Sequence, residues 1–160
     1  MLQSWLSAHL QAKQLNAFLY SYMRAATRSL YFENSAGRIW EEPEDYLRLE
    51  YYAGNREEIR FQALLTHLLR ALRRRGTGKI LVDQRAMAPF NNSEQAWMAT
   101  EWLPRAVLEG GYRYGAVIVA HNVFARLVMT QLVMSTRNLP HTYRTFDGEE
   151  AALAWLLTLA

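Results

Sequence analysis

The chain has 160 residues, 51% of them apolar and 12% aromatic, which is enough to bury one substantial core and hardly two. Eighteen basic residues against fifteen acidic ones give a formal net charge of +3, so the composition excludes a disordered chain and lacks the concentrated positive field of a dedicated nucleic-acid binder. No cysteine is present, which excludes disulfides, thiolate metal sites and cysteine nucleophiles.

From the start of the chain, Leu2, Trp5, Leu6, His9 or Leu10, Leu15, Phe18, Leu19, Tyr22 and Met23 recur at helical spacing and predict one or two amphipathic helices within a 1–28 extension. After residue 28 the period shortens. Leu30-Tyr31-Phe32 and Arg38-Ile39-Trp40 read as strands around the turn residues Asn34-Ser35-Ala36-Gly37, and a third strand follows Pro43. In that third strand Leu47, Leu49 and Tyr51 alternate with Tyr46, Arg48, Glu50 and Tyr52, giving one distinctly apolar face. Asn55 is placed to cap a helix whose buried arc is Ile59, Phe61, Leu64, Leu65, Leu68, Leu69 and Leu72, and Gly76 is placed to end it in a left-handed cap. Strand and helix then alternate: strand 79–84, helix 94–103, strand 115–120, helix 123–137, strand 142–146 and helix 148–157. Runs 79–84 and 115–120 are apolar enough to be covered on both faces, and right-handed crossovers follow from the alternation.

The fold class is therefore α/β, a mixed five- to six-stranded sheet made of an antiparallel N-terminal meander plus a βαβαβα unit, with helices packed on it. Two runs, Lys79-Ile80-Leu81-Val82-Asp83-Gln84-Arg85 and Gly115-Ala116-Val117-Ile118-Val119-Ala120, precede the ending Phe146-Asp147-Gly148-Glu149-Glu150-Ala151-Ala152-Leu153-Ala154-Trp155-Leu156. Together they resemble the SpoIIAA-like branch of the STAS domains over about residues 29 to 157, which sets a domain at 29–160. The resemblance implies a phosphorylation-controlled interaction module, and its fold is similar to that of CRAL-TRIO lipid-transfer domains.

Asp83, Gln84 and Arg85 leave one central strand and His121 with Asn122 leave the next, at the carboxyl ends where open α/β sheets place ligands. An Asp near a His can orient it as a base, but no Ser, Cys or second carboxylate stands at a comparable strand end, so no catalytic residues are assigned. Asn122 is more simply a helix cap. The four histidines show no i, i+4 metal spacing, and neither a metal nor a cofactor is expected. The glycines at 76 and 78 before Lys79 lack the Walker spacing and lead from helix to strand, the wrong order for a phosphate loop. Arg70, Arg73, Arg74, Arg75 and Lys79 make a basic cluster, and Glu41, Glu42, Glu44 and Asp45 an acidic one; solvation is the bland reading, and the sharper ones are contact of the basic cluster with a lipid headgroup or nucleic acid and electrostatic guidance of a protein partner.

By the resemblance, Ser93 stands near the serine that sporulation-type anti-sigma-factor antagonists carry phosphorylated. The usual Asp-Ser-x-Gly context is replaced by Asn91-Asn92-Ser93-Glu94-Gln95, and Ser93 serves equally as a helix N-cap. In an ideal helix Trp97 and Trp102 lie about 140° apart, with Met98 and Leu103 between and beside them, and helix 123–137 is also broadly apolar. Such breadth predicts a homodimer interface, cover by the N-terminal helices, or a groove for a small apolar or lipid-like ligand lined by Trp97, Met98 and Met129. The expectation is a cytoplasmic, non-enzymatic interaction or regulatory module that forms a homodimer, with a protein partner or apolar ligand possible, no nucleic acid and no transmembrane segment.

Overall fold

Leu47, Leu49 and Tyr51 point to one side of their strand and Tyr46, Arg48 and Glu50 to the other, so the two faces of the sheet are committed to different chemistry. A computed structural model describes residues 1–159, those from 24 to 26 by backbone alone. In chain order it contains α1 (Leu2–Thr27), β1 (Ser29–Asn34), β2 (Gly37–Glu42), β3 (Tyr46–Tyr51), α2 (Glu58–Arg75) and β4 (Lys79–Asp83). There follow α3 (Asn92–Trp97), a π-helical turn (Met98–Trp102), α4 (Leu103–Leu108), β5 (Tyr114–Ile118), α5 (Val123–Ser135), β6 (Thr142–Phe146) and α6 (Glu149–Leu157).

The six strands form one mixed sheet in the order β1-β2-β3-β4-β5-β6. The first three pair antiparallel and the last four parallel. Crossovers of one hand that advance in one direction must lay α2, the α3 to α4 segment and α5 on the same face, and the main core lies there. Phe61, Leu64, Leu65, Leu68 and Leu72 of α2 bury against Ile39, Leu47, Leu49, Ile80 and Val82. Each such side chain contributes about 1.5–3 kcal/mol. After β6, α6 lies on the opposite face and covers Tyr46, Leu81, Ala116 and Ile118 with Ala152 and Leu156.

Gly115 lets two aromatic rings meet over β5. A Cβ there would collide with the Tyr112 hydroxyl and approach the Tyr143 ring to 2.8 Å. Tyr112 and Tyr143 instead pack edge to face, 6.0 Å between centroids, and join the core to the α5 side of the sheet.

Three helices differ from the sequence expectation by more than a residue or two at an end. First, α2 starts at Glu58, and its N-cap is Glu57 without a side-chain cap bond, so Asn55 is no cap. The cause is Arg56, whose guanidinium bonds Glu94 at 2.8 and 3.0 Å and the carbonyls of Ala88 and Pro89 at 3.1 and 3.2 Å, tying the preceding segment to the loop after β4. Gly76 does close α2 in the left-handed conformation, donating to the Leu72 carbonyl. Second, the helical run expected over 94–103 extends from 92 to 108. Pro104 has no N–H to give the turn before it, and the chain accommodates it with the π turn, in which the Leu103 N–H reaches back five residues to the Met98 carbonyl. Third, the expected N-terminal helix or two is one unbroken α1 of 26 residues.

Candidate functional site

At the carboxyl end of β4, Asp83 is saturated by arginine. Arg85 grips both of its oxygens, Nε at 3.0 Å and Nη2 at 2.7 Å, and donates its backbone N–H at 3.1 Å, while Arg48 Nη2 approaches at 3.5 Å. Arg48, only 5% exposed, also bonds Glu50 at 2.7 Å and pairs with Glu149 at the start of α6. Glu50 is further bonded by Arg38 and by the Trp40 indole at 3.3 Å. Burial raises the Asp83 and Glu50 carboxyls, but the guanidinium hydrogen bonds outweigh it and hold both below their ordinary values. A carboxylate stabilised in this way is a poor proton acceptor. His121 is exposed and meets this region through its backbone, its N–H donating to the Arg85 carbonyl at 3.1 Å, so the sequence-level pairing of Asp83 with His121 is replaced by an Asp83–Arg85–Arg48 ion network.

A cavity of about 460 Å³ opens on the other face, between α5 and the carboxyl ends of β4, β5 and β6. Val117, Val119, Met129, Val133, Met134 and Tyr143 give it apolar walls; Gln84, Arg126, Thr130 and Thr145 supply polar atoms. The position is the one strand-end reasoning favours, and the volume lies within the roughly 300–1,000 Å³ of small-molecule sites. Arg126 braces the mouth through a 2.5 Å bond from Nε to the Ala120 carbonyl. Met129, 6% exposed, forms its floor and receives the Gln84 amide at 3.4 Å. Behind Met129 lies a void of about 20 Å³ bordered by Met98, Trp102 and Tyr112.

Of the three side chains expected to line a groove, Met129 lies on this cavity, Met98 borders the small void behind it and Trp97 lies on neither. The π turn changes the helical phase, so Trp97 and Trp102 both turn inward instead of lying 140° apart. Trp97 packs edge to face on Phe61 at 5.9 Å, and the Trp102 indole donates to the Leu65 carbonyl at 2.5 Å. In this segment Leu108 stays exposed at its end, whereas the apolar breadth persists on α5, where Val123, Phe124, Leu127 and Met134 face solvent.

Ser93 lies inside the first turn of α3. The cap is Asn91, whose side chain accepts from the Glu94 N–H at 2.8 Å while Glu94 accepts from the Asn91 N–H at 2.9 Å, a complete capping box. The exposed Ser93 hydroxyl instead donates to Glu58 at 2.8 Å, so a phosphate there would be set against a carboxylate. Asn91→Ala is expected to cost about 1 kcal/mol and Ser93→Ala less than about 0.5 kcal/mol in urea denaturation; equal losses would return the cap to Ser93.

The two charge clusters meet each other. Arg74 pairs with Glu41, and Arg75 binds the Glu42 carbonyl and lies 3.5 Å from Asp45, so the basic end of α2 clamps the acidic turn between β2 and β3. Asp45 holds a left-handed backbone in that turn, with φ 65°.

The largest unsatisfied apolar surface is α1. Trp5, Leu10, Leu15, Phe18 and Tyr22 are all more than half exposed. Near its end the helix meets the sheet: the Tyr20 hydroxyl donates to Glu44, and Tyr20, Met23 and Thr27 face Pro43 across a pocket of about 230 Å³. No helix among the described residues is long and apolar enough to cross a membrane. Nor, among the described residues, do three or more His, Asp or Glu side chains converge as metal ligands would.

The molecule is thus an α/β protein with a six-stranded mixed sheet, one apolar strand-end cavity and a projecting apolar helix. No family model or curated protein matches the sequence, and no solved structure matches the fold.

Proposed function

We propose that this chain is a non-catalytic interaction module of the STAS-like type that self-associates through α1. The observation that carries the reading is α1 itself, a helix of 26 residues whose large apolar side chains are left in water along its length. Contiguous apolar surface of this extent is a mark of a protein interface. The sheet order, three antiparallel strands feeding βα units, is what the SpoIIAA-like resemblance implies, and the arginine-saturated Asp83 favours a binding role over acid-base chemistry. Light scattering on the eluting protein tests the proposal. The parent is expected as a dimer and the Leu15→Glu/Leu19→Glu variant as a monomer with the same melting of the sheet; a parent that elutes as a monomer contradicts it.

A second reading has its own support in the strand-end cavity, which suits a small apolar or lipid-like ligand over Met129. Val133→Trp, which fills the cavity from α5, is expected to abolish binding of a conjugated polyene fatty acid followed by its fluorescence. Equal binding by parent and variant would remove this reading.

A further inference from the structure

Along α1, Trp5, Ala8, Ala12, Leu15, Leu19 and Tyr22 stand at alternating spacings of three and four, an unbroken heptad seam without a charged member. A sustained 3.5-residue repeat is the pattern that commits a helix to a partner helix. The seam is free in the monomer. Tyr20, Met23 and Thr27 hold the helix to the β2–β3 turn from a neighbouring side, and they leave Leu19 and Tyr22 of the seam 45% and 67% exposed.

We infer that α1 pairs antiparallel with α1 of a second copy of this chain, in the register that places residue i opposite residue 27 − i. This rests on the self-association proposed above and specifies its geometry. Residue size selects the orientation. In the antiparallel register Ala8 faces Leu19, Ala12 faces Leu15 and Trp5 faces Tyr22, so each small side chain meets a large one and the ends close with an aromatic pair. A parallel pair would stack Ala8 on Ala8 and Ala12 on Ala12 between layers of Trp5 and Leu15, leaving voids that helix packing does not tolerate. Charge does not oppose the pairing, because Lys13, the one charged side chain described on α1, lies off the seam.

The area is sufficient. Trp5, Phe18 and Tyr22 of both copies, each about two-thirds exposed, bring on the order of 600–1,000 Å² by themselves. Leu15 and Leu19 of both copies, 58% and 45% exposed, bring the available apolar area to about the 1,200 Å² lower bound of a stable dimer. Since α1 is about 39 Å long, the two sheets would sit at opposite ends of the pair.

The absence of native cysteine makes a direct test possible. Full-length Ala8→Cys and Leu19→Cys proteins are mixed, oxidised and resolved by mass. The mixed covalent dimer is expected to exceed either homodimer about 10-fold, because a disulfide needs Cα atoms about 4.4–6.8 Å apart and only the 8-to-19 pair meets that condition. Homodimers of each variant would show a parallel pair and overturn the inference. A sedimenting noncovalent dimer that no cysteine pair captures would overturn the register while leaving self-association standing. Protein that remains monomeric and instead co-sediments with phosphatidylcholine–phosphatidylglycerol vesicles would overturn both, making α1 a membrane-surface helix.

Discussion

Arg48→Ala is expected to lower the stability of the protein by about 3 kcal/mol and its Tm by about 10 °C. Arg48 is a buried cation at the centre of the outer sheet face, and its removal leaves Glu50 and Asp83, 14% and 13% exposed, facing each other across the gap it filled. Breaking one side of a buried ion pair is costly because the remaining charge has lost both water and its partner. Arg38 and Trp40 still serve Glu50, and Arg85 still serves Asp83, which keeps the loss near the lower end of the usual range for such pairs.

The same network fixes a pH dependence. Both carboxyls are held below their ordinary values of 4.5 and 3.8, so in the folded state they release their protons more readily than in the unfolded chain. Their contribution is fully present above about pH 5 and is lost as the pH falls through the depressed values. Urea melts of parent and variant should therefore differ most at pH 7 and converge toward pH 3. A gap that is small at pH 7, or that does not narrow on acidification, would show that Arg48 is held by packing alone.

The second large effect is on assembly. In Leu15→Glu/Leu19→Glu a dimer would bury four carboxylates, each against an alanine of the facing helix in the proposed register. Even partly solvated charges at such positions cost several kcal/mol between them, and each 1.4 kcal/mol is a factor of ten in Kd, so the Kd of the dimer is expected to rise by about 100-fold or more, about 2.8 kcal/mol. The sheet lies outside α1's seam, and its thermal transition should be unchanged. A variant that stays dimeric would move the interface to the apolar face of α5, around Phe124 and Leu127.

The strands and the broad order of elements were legible because their signals are local: the alternation at 46–51, the continuous apolar runs of β4 and β5, and the glycine after Arg75. Features set by long-range partners were not. Asn55 has the chemistry of a cap, but Arg56 is drawn to Glu94, 38 residues away, and delays the helix. Trp97 and Trp102 look divergent on a regular helix and converge only because Pro104 brings a π turn with it, for which the proline itself was the available signal. The strand-end position of the cavity was readable, but not its walls: Arg126, Val133 and Tyr143 come from α5 and β6, whose distance from Gln84 is fixed by packing. Arg48 and Glu50 were visible as same-face charges of an alternating strand, without any local hint that Asp83 and Glu149 would join them around Arg48. The seam of α1 emerges when the spacing is counted at 3.5 residues and is blurred at 3.6, because other apolar residues crowd the same helix.

Sedimentation equilibrium of the full chain at tens of micromolar tests the central claim most directly. Self-association through α1 predicts a species of twice the 18.6 kDa chain mass that dissociates on dilution. A single species of 18.6 kDa across that range would contradict it.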